Sequence, residues 1–216
     1  MALSYYITAA LLALCFSTEA RAQDLTAQDV MDKAYSHIFS TSGTTLKFTL
    51  TSLSGKTEQG STSGTLSIKG KRFCLKSDQM LAWFDGTRQW TMQTGDREVS
   101  LTEPTEEEQR AANPCNVLQL YKQTGMFKYK MKAGTLSNGA KGYKIFMNAN
   151  SKSADPREVF VEIDSGFRLV RLSFREGSDQ WTRIVVSDLQ ANQQLNDSLF
   201  TFHVADYPNA LVVDLR

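Results

Sequence analysis

The sequence predicts a mainly β protein with short helices, folded as an unclosed, strongly curved antiparallel half-barrel with an N-terminal helix and a helical lid. Three observations carry this. From Leu46 onward, apolar residues recur with a period of two over many short segments. Gly, Asp, Ser and Asn punctuate those segments at short intervals, which suits hairpins and leaves no room for repeated βαβ crossovers. There are about ten such segments, and a meander of that size curls toward a barrel.

The first segment stands apart from the fold. Tyr6 to Phe16 is apolar except for Thr8, and it is shorter than the roughly 20 residues that span a bilayer. Ala20, Arg21 and Ala22 then give an Ala-x-Ala pattern before Gln23. Together they read as a secretory signal at residues 1–22, although no Lys or Arg precedes the apolar run. Residues 23–216 read as one domain, since no linker or repeat divides them. Cys15 follows Leu14 rather than the small residue that an acylated lipoprotein cysteine needs, so a released protein is expected. Cys74 and Cys115 remain after cleavage. Export permits a disulfide, but a chain this long needs no staple, and two buried thiols are the favoured reading.

The mature chain opens on a helix. Thr26 is its cap, Asp29 completes a near capping box, and Val30, Ala34 and Ile38 recur every four residues beside Met31, Tyr35 and Phe39. Ser40 to Thr44, with Gly43, ends it. Alternation then begins: Leu46, Phe48, Leu50; Leu66, Ile68; Phe73, Leu75. Ser54 to Lys56 and Gly60 to Gly64 read as turns. Leu81 to Phe84 and Thr87 to Gln93 flank Asp85-Gly86, a strong hairpin signal, and Arg97 to Leu101 continues the meander.

A helical interlude follows. Pro104 suits a first turn, and Glu106, Glu107 and Glu108 suit the positive end of a helix dipole. Asn113 and Pro114 start a second short helix, on which Val117, Leu120 and Tyr121 share one face before Gly125. Further strands are expected at Phe127 to Met131, Tyr143 to Met147, Val159 to Ile163, Phe167 to Phe174 and Trp181 to Leu189.

Composition narrows the function classes. The formal net charge is +1, from 24 Lys+Arg and 23 Asp+Glu. That balance disfavours nucleic acid as a partner and a strong electrostatic hold on anionic lipid. The chain has two histidines, His37 and His203. It has no Gly-x-Ser-x-Gly, no His-Glu-x-x-His, no phosphate-cradling loop and no Cys/His cluster. No catalytic residue, metal or cofactor is expected, and the chain does not read as an enzyme. What remains is a continuous apolar face. Phe48, Leu50, Leu66, Ile68, Phe73, Leu75, Trp83, Trp90 and Met92 are the candidate lining of an apolar cavity on a curled sheet. Ordinary core is the competing explanation for the same pattern. Val117, Leu120 and Tyr121 are the candidate lid.

Several segments in order resemble the LolA family of lipoprotein carriers. Gly64 to Phe73, with Leu66 and Arg72, is similar to the family's Gly-x-Leu strand leading to a basic residue and an aromatic. Trp83 to Trp90, around Asp85-Gly86, is similar to its Asp-Gly hairpin followed by Trp. Val185 to Gln190, Leu199 to Phe202 and Tyr207-Pro208 are similar to its last strand and closing turn. The resemblance implies an open barrel with a helical lid and a non-covalent activity in the periplasm. Such a carrier takes acylated lipoproteins from an inner-membrane transporter, shields their lipid and passes them to an outer-membrane acceptor. It touches membranes transiently and works as a monomer. A lipid-sensing or envelope-stress module on the same half-barrel is the alternative. The family's lid-tethering strand arginine falls near Gly70, and Arg72, two residues on, is the candidate replacement.

Overall fold

The computed structural model describes residues 25–177 and 179–216, so the apolar leader, Cys15, the Ala20-Arg21-Ala22 pattern and the expected start at Gln23 lie outside the described residues. Helix α1 (Ala27–Ile38) forms as its sequence suggests. The Asp29 N–H donates to the Thr26 hydroxyl at 3.2 Å, and the Thr26 N–H donates back to the Asp29 carboxylate at 2.9 Å. Val30, Met31, Ala34 and Ile38 are buried, and Tyr35 stacks on Phe39 at 4.5 Å.

A meander of six strands follows: β1 (Thr44–Ser54), β2 (Thr57–Lys69), β3 (Arg72–Ser77), β4 (Met80–Phe84), β5 (Gln89–Gln93) and β6 (Glu98–Thr102). Helix α2 (Glu106–Ala112) and a 3-10 helix (Pro114–Lys122) interrupt it. A second meander comprises β7 (Phe127–Thr135), β8 (Lys141–Ala149), β9 (Glu158–Asp164), β10 (Leu169–Glu176) and β11 (Gln180–Gln190). After two short 3-10 turns, β12 (Leu211–Asp214) ends the chain's regular structure. All twelve strands join one sheet, in the order β12-β6-β5-β4-β3-β2-β1-β11-β10-β9-β8-β7. The two meanders meet through β1 and β11. Edges remain at β12 and β7, so the sheet is unclosed. Among the described residues, no helix is long and apolar enough to cross a membrane.

Register explains the inner face. Leu46 lies opposite Leu66, Leu66 opposite Leu75, and Leu75 opposite Ala82. On the other side of β1, Leu50 pairs with Ile184, then Leu172, Val161 and Ile145. Side chains opposite one another share a face, so these partners form one apolar stripe across the sheet. Helix α1, α2 and the 3-10 helix pack on it to complete the inner core.

The helical interlude is capped more fully than its sequence suggested. Pro104 lies outside α2, and Thr105 is the cap. The Glu108 N–H donates to its hydroxyl at 3.3 Å, and the Thr105 N–H donates to the Glu108 carboxylate at 2.7 Å. Glu106, Glu107 and Glu108 fill the first turn as expected. Asn113 caps the next helix, its side-chain oxygen accepting from the Cys115 N–H at 3.2 Å.

Two expectations about the strands are corrected. Gly60 to Gly64 is not a turn but part of β2, which runs for 13 residues. Gly64 is there because a Cβ would sit 2.6 Å from the Lys76 carbonyl oxygen and 2.9 Å from Ser77 Cα. The sheet curls too tightly between β2 and β3 to admit a side chain. Strand β12 was not foreseen, and it pairs with β6 in parallel. The Asp85-Gly86 hairpin stands: the Asp85 carboxylate accepts from the Thr87 and Arg88 N–H groups at 2.9 and 2.8 Å, and Gly86 takes φ +106°.

A second, smaller core lies on the outer face of β3 to β6. Cys74, Trp83, Trp90, Met92, Val99 and Leu101 meet Phe200 and Phe202 of the C-terminal segment there. Cys74 and Cys115 are free and belong to different cores. Burial pushes the Cys74 thiol up to about 11 and the Cys115 thiol up to about 12.

Candidate functional site

Beneath the helical segment, the inner face keeps an unfilled space of about 240 Å³. Strand β1 contributes Leu46, Phe48 and Leu50 to its wall, with Leu66 and Leu75 from the next strands. Ala112 and Cys115, at the junction of α2 and the 3-10 helix, roof it. Ser77, Gln79, Gln93 and Thr62 give it a polar margin. The Thr62 hydroxyl is buried and finds no hydrogen-bond partner. Among the described residues, no charged side chain lines the space.

Four of the residues singled out from alternation therefore line the cavity: Phe48, Leu50, Leu66 and Leu75. Ile68 and Phe73 share their face and core but are fully buried and do not reach the space. Trp83, Trp90 and Met92 are corrected to the opposite face. Within β4, Ala82 and Phe84 point inward, so Trp83 between them must point outward. Trp90 lies directly opposite Trp83, and Met92 opposite Leu81, so register carries both outward too. There Trp83 packs edge-on against Phe202 and Tyr207 at 5.3 and 5.5 Å. Sequence reading missed Met80 and Ile184. Met80 was within reach, since it precedes Ala82 and Phe84 by even steps on β4. Ile184 needed the β1–β11 pairing, which no local signal gives.

The helical segment covers the inner face as the apolar stripe suggested. Val117, Leu120 and Tyr121 are buried in the inner core, with Leu118 beside them. Its end is fixed to α1: the Tyr121 hydroxyl donates to the Asp32 carboxylate at 2.6 Å. The Lys122 ammonium lies 3.4 Å from the centroid of the Tyr35 ring. From β7, the Tyr129 hydroxyl donates to the Tyr121 carbonyl at 2.9 Å. Burial, then the bond to Asp32, pushes the Tyr121 phenol well above its usual range.

Arg72 does not tether this cover, which corrects the expectation drawn from even spacing. Gly70 and Lys71 form the β2–β3 turn, with Lys69 opposite Arg72 and Gly70 at φ +60°. Position 70 is thus not on a strand, and counting faces from it fails. Phe73 faces the inner core, so Arg72 faces outward. It pairs with Asp197 at 3.0 Å and lies 5.6 Å from the Phe200 ring centroid. Lys69 joins the same carboxylate at 2.7 Å and donates to the Leu195 carbonyl at 2.8 Å. Both cations hold the C-terminal segment.

Chemically, the site is an apolar receptacle. Among the described residues its one thiol, on Cys115, is kept protonated by burial and so is a poor nucleophile. Among the described residues, no group of three or more His, Cys, Asp or Glu side chains is placed to hold a metal ion.

Comparison of the chain with known proteins gives its family. No curated protein matches the chain. Among solved structures, a LolA superfamily protein from Nitrosomonas europaea is similar at 12% identity and a TM-score of 0.42, covering 82% of this chain and 98% of that one. A DUF1329 family protein from Desulfovibrio piger shows 11% identity and a TM-score of 0.44 over 82% of this chain and 98% of its own. The Pseudomonas aeruginosa MucA/MucB complex shows 8% identity and a TM-score of 0.42, over 86% of this chain and 63% of that one. Residues 16–178, about three quarters of the sequence, match the family model described as outer membrane lipoprotein carrier protein LolA. The chain belongs to that LolA family.

Proposed function

We propose that the protein is a periplasmic carrier that shields the acyl chains of lipoproteins on their way from the inner to the outer membrane. The observation that carries this reading is the apolar cavity closed by a short helical segment rather than by the sheet itself. At about 240 Å³ the cavity is below the roughly 300–1,000 Å³ of most ligand sites. Cargo therefore has to displace the cover, and the apolar surface under α2 and the 3-10 helix then becomes the binding surface. Each buried methylene contributes roughly 0.8 kcal/mol, which is why an acyl chain needs a carrier to cross water. The donor in this reading is an inner-membrane lipoprotein-releasing transporter, and the receiver is an outer-membrane acceptor. Periplasmic location rests on the Ala-x-Ala leader and on the LolA family assignment.

Native mass spectrometry of the protein purified from its own host tests the proposal. Acylated polypeptide should be retained, and the loaded protein should surrender it to outer-membrane vesicles. Protein that carries no acyl species, or that holds free lipid but never transfers a lipoprotein, would overturn the carrier reading. The second of those results would point to a lipid-sensing module instead.

A further inference from the structure

The outer face of the sheet holds another concavity, of about 540 Å³, between β8 and the β1–β2 hairpin. Cross-strand register builds its surface. Phe146 lies opposite Phe160, Phe160 opposite Ser173, and Ser173 opposite Arg183. One row away, Leu53 lies opposite Trp181. Phe146 is 44% exposed, and its ring centroid is 4.6 Å from that of Phe160. Phe146 with Phe160, and Leu53 with Trp181, thus make two apolar patches separated by Ser173 and Arg183, on the side of a sheet that normally faces water.

The charges around this floor do not balance. Lys56, Arg171 and Arg183 line the groove, with Glu158 as the one carboxylate among the described lining residues. Glu158 is taken by Arg175 at 2.8 Å, and Arg183 reaches Glu58 at 3.3 Å. Glu162 faces Arg171 across the strands. Its carboxylate, however, accepts from the Ser137 N–H and hydroxyl and lies 3.8 Å from Lys144. Among the described residues Arg171 therefore makes no ion pair. Its guanidinium lies 4.8 Å from the Phe160 ring centroid, and its Nε is buried without a hydrogen-bond partner. A buried N–H of a charged group is costly to leave unmatched. Arg171 also lines the groove, and a guanidinium there offers an anion a fork geometry that suits phosphate and carboxylate.

We propose that this groove is a second binding site, which takes single-chain anionic amphiphiles one at a time. The head is an ionised phosphate or carboxylate held by Arg171 with Arg183, and the chain lies along Phe146, Phe160 and Leu53 toward Trp181. The site complements the inner cavity, whose described lining carries no charge. It does not depend on the carrier reading. Because the groove is concave, the ligand is a monomer from solution and not the flat surface of a bilayer.

The test uses the mature protein labelled with 5-fluorotryptophan. Its three tryptophans divide cleanly: Trp83 and Trp90 are buried in the outer core, and Trp181 lines the groove. The Met80 methyl signal reports on the inner cavity. Dodecyl phosphate and dodecanol, both below aggregation, are titrated in turn. The phosphate should shift the Trp181 fluorine signal saturably, and the alcohol should bind there about tenfold more weakly, the difference that one charge-assisted hydrogen bond supplies. Arg171→Gln should erase that preference and leave the Met80 response unchanged. As a check that needs no variant, high salt should weaken the phosphate and spare the alcohol. Equal affinity of the two probes at Trp181, a phosphate response confined to Met80, or a Trp181 shift seen only with anionic vesicles would each overturn the proposal.

Discussion

Replacing Tyr121 by Phe removes one oxygen from the helical cover and keeps its ring. The lost bond runs to a carboxylate, Asp32, at 2.6 Å. Bonds to charged groups contribute about 1.5–3 kcal/mol. Asp32 is exposed, so water takes over the vacated oxygen, and the lower end of about 1.5 kcal/mol applies. The ring is 2% exposed and its edge contact with Tyr35 at 5.9 Å survives. If the bond breaks only on global unfolding, the melting temperature should fall by about 3–6 °C for a chain of this size. If the cover opens alone, its opening constant should rise about tenfold. Two cysteines tell these apart. Cys115 lies under the cover, and Cys74 lies in the outer core beneath the C-terminal segment. Both thiols are buried and protonated, so a thiol reagent must wait for an opening. We expect Cys115 labelling to accelerate about tenfold in Tyr121→Phe while Cys74 labelling keeps its rate. Equal acceleration of both would refute a separate opening. Unchanged labelling of both would show that the bond does not hold the cover closed.

Leu120→Glu should lower stability by only about 1–2 kcal/mol, because the carboxylate can leave with the helix, while co-purified acyl cargo is lost; a several-kcal/mol loss in thermal or denaturant unfolding would make Leu120 fixed core. Gly64→Ala should cost about 1–3 kcal/mol by denaturant unfolding, since the Cβ meets the Lys76 carbonyl at 2.6 Å and backbone must move. Hydrogen bonds from Lys69 and Arg72 hold the Asp197 carboxyl below its usual range. A depressed folded pKa means that the stabilisation is fully present above the ordinary Asp value of 3.8 and fades as pH falls through the lower folded value. Trp83 emission should accordingly shift toward that of a wetter indole on acidification, and Asp197→Asn should show the shifted signal already at neutral pH.

How much of this was legible follows from what each signal encodes. Period-two alternation is local, so the inner faces of β1, β2 and β3 could be read from Leu46 to Leu75 directly. The capping residues Thr26 and Asn113 were legible for the same reason: their bonds close within three residues. The choice of face at β4 was not. Trp83 and Phe84 are adjacent aromatics of similar apolar content, and only one of them can point inward. The deciding partner of Trp83 is Phe202, more than a hundred residues away. Arg72 failed similarly, because whether Gly70 sits in a strand or a turn depends on the Lys69–Arg72 pairing. Glycine's turn signal misled at Gly60 to Gly64, where its use is close strand packing.

The two covers on the sheet differ in what it costs to lift them, and that difference favours the inner cavity as the site of the proposed cargo. The C-terminal segment is tied into the sheet by backbone. The Leu211 N–H donates to the Arg97 carbonyl at 2.7 Å, the Leu215 N–H to the Leu101 carbonyl at 2.9 Å, and β12 extends the ladder beside β6. Lifting it orphans those groups as well as the Asp197 ion pairs. The helical segment is self-contained instead. Its first turn is closed by Thr105 and Glu108, Asn113 is bonded from and to its own segment, and Gln109 reaches only Pro104. Among the described residues, the bonds that join it to the rest begin at Tyr121. The helical segment can therefore leave the sheet with its own turns intact, at the cost, among the described residues, of apolar contact and of the bonds at Tyr121. The apolar part of that cost is what an acyl chain, the proposed cargo, would offset, since it replaces apolar surface with apolar surface.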